Sequence, residues 1–219
     1  MKKFLTGVLI FVSIVLLFES CSSLRRQGYR KTGAGNFQVT PVFSPGFEKS
    51  LYTAEITFGK NSFSSLAVIK QIPEDRSFRL AFISETGMRL FEMEFLKNGA
   101  AKVHYMTAFL NRKAVMKKLS SDFNLLFISD GASEISRIFV KDGDAGSYVL
   151  RVKKDGKKDF YFSSANNEPG KIKEQGCAFG RTTVELNKFE NGGPNEILFT
   201  HKMLKLKISL KQINYPEWN

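Results

Sequence analysis

From Phe78 to Phe95 the chain reads F-R-L-A-F-I-S-E-T-G-M-R-L-F-E-M-E-F. Large apolar residues alternate with polar ones on both sides of Ser84-Glu85-Thr86-Gly87. A period of two excludes a helix and specifies two antiparallel strands with one apolar face, because successive side chains on a strand point to opposite sides. Phe78, Leu80 and Phe82 share that face on the first strand, and Phe91, Met93 and Phe95 share it on the second, with Glu92 and Glu94 opposite. Gly87 supplies the positive φ that a tight hairpin turn requires.

The same plan recurs along the chain. Tyr52, Ala54, Ile56 and Phe58 alternate inward before a turn at Gly59-Lys60-Asn61, and a strand follows from Phe63 to Gln71. Asn98-Gly99 marks another turn before Lys102–Met106. Strands are expected again at Ser147–Lys153 and Lys157–Ser163, joined by Asp155-Gly156, then at Thr182–Leu186 and Met203–Lys211, with loops at 166–170 and 191–194. Between Thr107 and Phe127 the period changes. Val115, Leu119, Phe123 and Leu126 recur at helical spacing, giving one amphipathic helix or two with a break near Ser120-Ser121-Asp122. A helix set inside a meander most economically covers the open apolar face of the sheet. The expected fold is therefore mainly β: an antiparallel, half-open barrel of about ten or eleven strands, with mid-chain helices over its concave apolar face. Whether that interior is a filled core or a pocket is not decided by alternation.

Function classes narrow by absence. The chain has 219 residues, only two His and two Cys, and no G-x-S-x-G, P-loop, H-E-x-x-H or C-x-x-C motif. No catalytic constellation, metal site or cofactor is expected. Glu92 and Glu94 lie on a solvated strand face, and His104 and His201 stand alone in the sequence. The net charge of +12 suggests attraction to an anionic surface, but the basic stretches lack the aromatic interleaving of a nucleic-acid platform.

Lys2 and Lys3 precede an apolar run from Phe4 to Phe18, the length of a signal h-region and short for a membrane span. Cys21 follows directly, and Phe18-Glu19-Ser20-Cys21 resembles a relaxed lipobox of bacterial lipoproteins. That resemblance implies a signal peptide over 1–20, a lipid anchor on Cys21, and a flexible basic tether over 21–47 leading to a domain at 48–219. Cys177, the remaining thiol, is expected to be a small buried residue.

With the hairpin, the mid-chain helix and the closing strand Leu204-Lys-Leu-Lys-Ile-Ser-Leu210 in view, the chain resembles the LolA/LolB superfamily of lipoprotein carriers, and the LolB side of it in particular. The resemblance implies an outer-membrane lipoprotein, its domain in the periplasm, monomeric and not an enzyme. Such a protein takes acylated lipoproteins from a LolA-like periplasmic carrier and inserts them into the membrane. Candidate acyl-chain residues are Phe78, Leu80, Phe82, Phe91, Met93, Phe95, Val115, Leu119 and Phe123. In that family an exposed Leu before the turn Gly touches the membrane. Thr86 stands there in this chain, and Met88, just past Gly87, is the candidate replacement. The alternative reading is a lipid-binding or scaffold lipoprotein on the same fold, with no role in delivery.

Overall fold

The computed structural model describes residues 24–33, 37–108, 110–127, 134–154, 157–164, 168–175, 182–201 and 205–213. The proposed signal peptide, Cys21 and Cys177 lie outside them. Among the described residues there are thirteen strands: β1 (Tyr29–Thr32), β2 (Lys49–Phe58), β3 (Asn61–Gln71), β4 (Phe78–Ser84), β5 (Arg89–Phe95), β6 (Ala101–Met106), β7 (Glu134–Lys141), β8 (Asp144–Lys154), β9 (Lys157–Ser163), β10 (Pro169–Gln175), β11 (Thr182–Glu190), β12 (Gly193–His201) and β13 (Leu206–Gln212). One helix, α1 (Lys113–Phe123), lies between β6 and β7.

All thirteen strands form a single sheet in the order β1-β7-β8-β9-β10-β11-β12-β13-β2-β3-β4-β5-β6. It consists of two meanders, β2–β6 and β7–β13, with β1 added beside β7. They are stitched where β13 pairs antiparallel with β2, Ile208 opposite Ile56. Residues from both meanders, Leu80 and Phe82 of β4 as well as Leu150 of β8 and Phe199 of β12, are buried in one apolar cluster. The sheet therefore curls around a shared interior. Its outer strands, β1 and β6, are not paired to each other, so it stays an open, half-barrel sheet.

The hairpin that organises the sequence forms as expected. Phe82 pairs with Phe91, Leu80 with Met93 and Phe78 with Phe95. Gly87 has φ 80°. Ser84 N–H donates to the Met88 carbonyl at 2.8 Å, and Gly87 N–H donates to the Ser84 carbonyl at 2.9 Å. The helix runs unbroken through Ser120-Ser121-Asp122, which selects the single-helix alternative.

The thirteen strands exceed the expected ten or eleven. β10 opens at Pro169 and β12 at Gly193-Pro194, where turn residues suggest only loops. Proline is tolerated there because it sits in the first two residues of each strand, where a missing donor costs least. β1 lies within the stretch expected to be a tether, and this corrects that expectation. Arg30 pairs with Val140 of β7, and Val42, Phe43 and Phe47 are buried in the core. The apolar residues Phe37, Val39, Val42, Phe43 and Phe47, scattered among Gly and Pro, provide enough buried area to fix this segment without regular hydrogen bonding.

That segment is pinned at the β11–β12 turn. Ser44 N–H donates to the Gly192 carbonyl at 2.7 Å. Gly192 has φ 78°, and a Cβ there would stand 2.4 Å from Ser44 Oγ. Gly192→Ala should therefore lower unfolding stability by about 1–3 kcal/mol in denaturant titration, through both the φ and the clash. A change under about 0.5 kcal/mol would mean that the Ser44 contact is not formed in solution.

Candidate functional site

The concave face of β4 and β5 is the site. Alternation places Leu80, Phe82, Phe91, Met93 and Phe95 on it, and all five are buried. Phe78 is half-buried at the end of the row. The last residue of α1, Phe123, is set on this face and is fully buried. Its ring lies 5.8 Å from Phe82, 6.4 Å from Phe91, 6.5 Å from Phe95 and 4.9 Å from Phe199 of β12. Just past the helix, Phe127 stacks on Phe78 at 4.8 Å and meets Phe95 at 4.8 Å and Phe43 at 5.7 Å. Centroid separations of this size are those of rings in direct contact. Where α1 rests, the interior is filled by rings, two of which the helix and its C-terminal turn supply.

The other expected helix residues behave differently. Leu119 is half-buried and packs against the core, while Val115 is half-buried one turn earlier. Thr86 and Met88 stay outside, at the tip of the β4–β5 turn, and Met88 is 60% exposed. A separate opening of about 420 Å³ lies at the opposite end of the sheet, lined by Pro41, Pro45, Pro169 and Phe189 among others. It does not reach the rings under α1.

Two polar features of the interior are not evident from the sequence. The first joins α1 to the sheet. Asp122, 1% exposed, receives a hydrogen bond from Thr182 Oγ1 at 2.6 Å and lies 3.1 Å from His201 Nε2. Thr182 and His201 are a cross-strand pair of β11 and β12, and Thr182 Oγ1 is 2.8 Å from His201 Nε2. A carboxylate only accepts, so the ring nitrogen facing it must carry the proton. Lys118, one helical turn before Asp122, pairs with Asp122 at 2.8 Å and with Glu174 of β10 at 3.2 Å. Ser121 Oγ donates to Glu174 at 3.3 Å. His201 looks solitary in the sequence because its partners are 19 and 79 residues away. The signal that was present is the helical spacing of Lys118 and Asp122, which places both on one side of α1.

The second feature is Tyr161 of β9, 3% exposed, whose hydroxyl has no hydrogen-bond partner among the described residues. Burial, and secondarily the charge of Asp159 two residues earlier, push this phenol well above its ordinary range. It is therefore a protonated donor held in the apolar interior.

The arrangement offers apolar burial and, on Tyr161, an unspent phenol donor. Among the described residues no group of His, Cys, Asp and Glu could hold a metal. No helix among them is long and apolar enough to cross a membrane. No family model matches the chain, and no curated protein does. Among solved structures, it is similar to a DUF1329 family protein from Desulfovibrio piger ATCC 29098, with TM-score 0.42 and 11% identity over 80% of this chain and 88% of that one. It is also similar to a protein from Vibrio parahaemolyticus described as an outer membrane lipoprotein-sorting protein domain, with TM-score 0.39 and 11% identity over 78% of this chain and 86% of that one. Likeness this remote carries nothing about what the chain binds.

If Phe123 holds the lid down, Phe123→Ala should cost about 3–5 kcal/mol of stability and open a void between Phe82, Phe91, Phe95 and Phe199. A small apolar probe such as benzene should restore part of the loss in thermal denaturation. No restoration, with the variant folded, would mean that the surrounding rings collapse into the space.

Proposed function

We propose that the chain is a membrane-anchored acyl-chain acceptor that takes up the lipid moiety of other lipoproteins and passes it to a bilayer. The observation that carries this reading is that the half-barrel is closed by rings on a helix rather than by strand pairing. Phe123 and Phe127 occupy the space an acyl chain would fill, and they leave with α1. Exchange of rings for methylenes needs neither nucleotide nor bond chemistry, only relative affinity, at about 0.8 kcal/mol per buried methylene. Tyr161 supports the same reading. Its donor is unsatisfied in the closed form, and the ester or amide carbonyl of an acylated ligand is an acceptor suited to it.

Delivery requires contact with the membrane. The exposed large apolar residues among those described are Phe63, Met88, Val103 and Tyr105, and all lie on the β3–β6 side of the sheet. Register places Phe63 and Met88 at the same end, since Ser65 of β3 pairs with Ser84, the residue before the β4–β5 turn. Arg89 stacks over Tyr105 at 5.1 Å, and Lys60 is exposed on the neighbouring β2–β3 turn. Apolar side chains rimmed by cations suit an anionic lipid surface. On this proposal Met88, with Phe63 beside it, makes the contact expected of the turn. The anchor on Cys21, the outer membrane and the LolA-like carrier remain parts of the proposal. The second reading, a lipid-binding or scaffold protein without delivery, is favoured by the dense ring packing beneath α1.

The deciding experiment loads a soluble carrier with a triacylated lipoprotein and follows its transfer to the full chain in vesicles, with a non-acylated cargo as control. Acyl-dependent transfer is expected; none, with the protein folded, leaves the scaffold reading. Met88→Asp should then reduce delivery to the bilayer at least about tenfold, as expected for losing one buried Met from the lipid interface, with cargo uptake unchanged. Equal loss of both would contradict a membrane role for Met88. Tyr161→Phe should leave stability unchanged or slightly raised, because it removes an orphaned donor, and should weaken uptake of ester-linked cargo. A clear loss of stability would show that the hydroxyl is partnered in solution.

A further inference from the structure

We infer that Lys118, Asp122, Glu174, Thr182 and His201 form a catch that holds α1 shut, and that this catch lowers the apparent affinity of every acyl ligand by one common factor. The ligand half of the statement rests on the acyl-binding reading; the catch itself does not.

The position of Asp122 is the starting point. It immediately precedes Phe123, and the two side chains leave the helix in different directions. Phe123 enters the ring cluster of β4, β5 and β12, while Asp122 reaches the β11–β12 pair Thr182 and His201. Lifting this end of the helix would withdraw both. Lys118 adds a second fastening one turn earlier. Its ammonium donates to Thr182 Oγ1 at 2.8 Å and pairs with both Asp122 and Glu174. Thr182 is the junction, since its hydroxyl lies within hydrogen-bond distance of Asp122, Glu174, Lys118 and His201.

A buried network of this kind has two comfortable states. Closed, each group is satisfied by another. Open, each is satisfied by water. Between them a charged group is dry and unpaired, which is costly. α1 should therefore leave the sheet as a unit rather than fray residue by residue, and the aromatic site is either covered or open. The ring cluster alone would not impose this, because dispersion contacts weaken gradually with distance. The catch residues also stand apart from the rings in chemistry. On the sheet side they belong to β10, β11 and β12 (Glu174, Thr182 and His201), whereas the core face that an acyl chain would contact is built on β4 and β5.

If the catch only sets the closed–open equilibrium, it taxes all ligands alike. The apparent dissociation constant of each is its intrinsic value divided by the open fraction. Short-chain amphiphiles would then fall below useful occupancy at concentrations where long or multiple chains still load, without any residue measuring chain length.

The test uses the full-length protein in lipid nanodiscs, with Asp122→Asn and Thr182→Val as variants that keep side-chain size while breaking the network from the helix side and the sheet side. Hydrogen exchange is read on the α1 amides and, as the folding control, on β2–β5. Binding is read with eight-carbon and sixteen-carbon diazirine fatty acids, as labelling of the peptides holding Phe82 and Phe91. The catch predicts α1 exchange at least about tenfold faster with β2–β5 unchanged, and a gain in probe labelling of the same factor for both chain lengths. Unchanged α1 exchange in both variants overturns the catch. Faster exchange with unequal gains for the two probes overturns the common factor, because it means that these residues touch the ligand. Faster exchange with no labelling in any form upholds the catch and overturns the acyl-binding reading instead.

Discussion

The structure depends on one contact, the insertion of Phe123 into the concave face of the sheet. A closed barrel completes itself by hydrogen bonds between its first and last strands. Here the outer strands do not meet, and what spans the interior is a helix of eleven residues, too short to be stable alone in water. Tertiary burial must hold it, and Phe123 is where that burial is deepest. Its ring touches strands of both meanders, Phe82 and Phe91 from one and Phe199 from the other. The same contact that folds the helix against the sheet therefore ties the two halves of the sheet across the interior.

The two edge strands illustrate how a half-barrel stays open without joining its neighbours. β1 has four residues, and its central positions, Arg30 and Lys31, are exposed. β6 is exposed along most of its length and carries Lys102 and His104. Short edges and edge charges discourage strand addition. On the outer face beside β6, Glu94 is nearly buried and joins His104, Ser77 and Arg79. The His104 hydrogen bond is the main reason its carboxyl is held below the usual range, with Ser77 and Arg79 adding to the effect against the cost of burial. What alternation presents as a merely solvated strand face is thus a cross-strand polar network.

Sequence made the sheet legible where period and turn chemistry agreed. β4 and β5 are given by their alternation and by Gly87, and β8 and β9 by Asp155-Gly156 between two apolar runs. That this stretch is helical is given by Val115, Leu119 and Phe123, but not that one helix runs through Ser120-Ser121-Asp122. It was silent where local signals conflict with tertiary demand. Gly193-Pro194 looks like a loop, yet it begins β12, because Tyr52 of β2 donates its hydroxyl to the Pro194 carbonyl at 3.0 Å and β11 supplies the ladder. Phe43 and Phe47 sit among prolines and glycines, with no period to reveal that their rings meet, tilted, at 4.5 Å in the core. The catch was the least visible part, since Asp122, Thr182 and His201 are joined only by the curl of the sheet.

Filled interior and acyl-binding site are not competing descriptions of this architecture. An apolar cavity held permanently empty would forfeit the dispersion contacts of every group lining it, and the free protein would carry that loss for as long as it lacked cargo. On the proposed reading, rings mounted on a helix that lifts would remove the loss, because the lining keeps its contacts until a ligand replaces them. The cost moves from the resting state to the act of opening, where it is set by Phe123 and Phe127 on the apolar side and by Asp122 and its partners on the polar side. An acceptor built this way holds cargo more weakly than a permanent pocket of the same area would, since part of the binding energy is used to lift the helix. If the chain delivers cargo as proposed, that weakness would favour release to a bilayer, which demands no such opening.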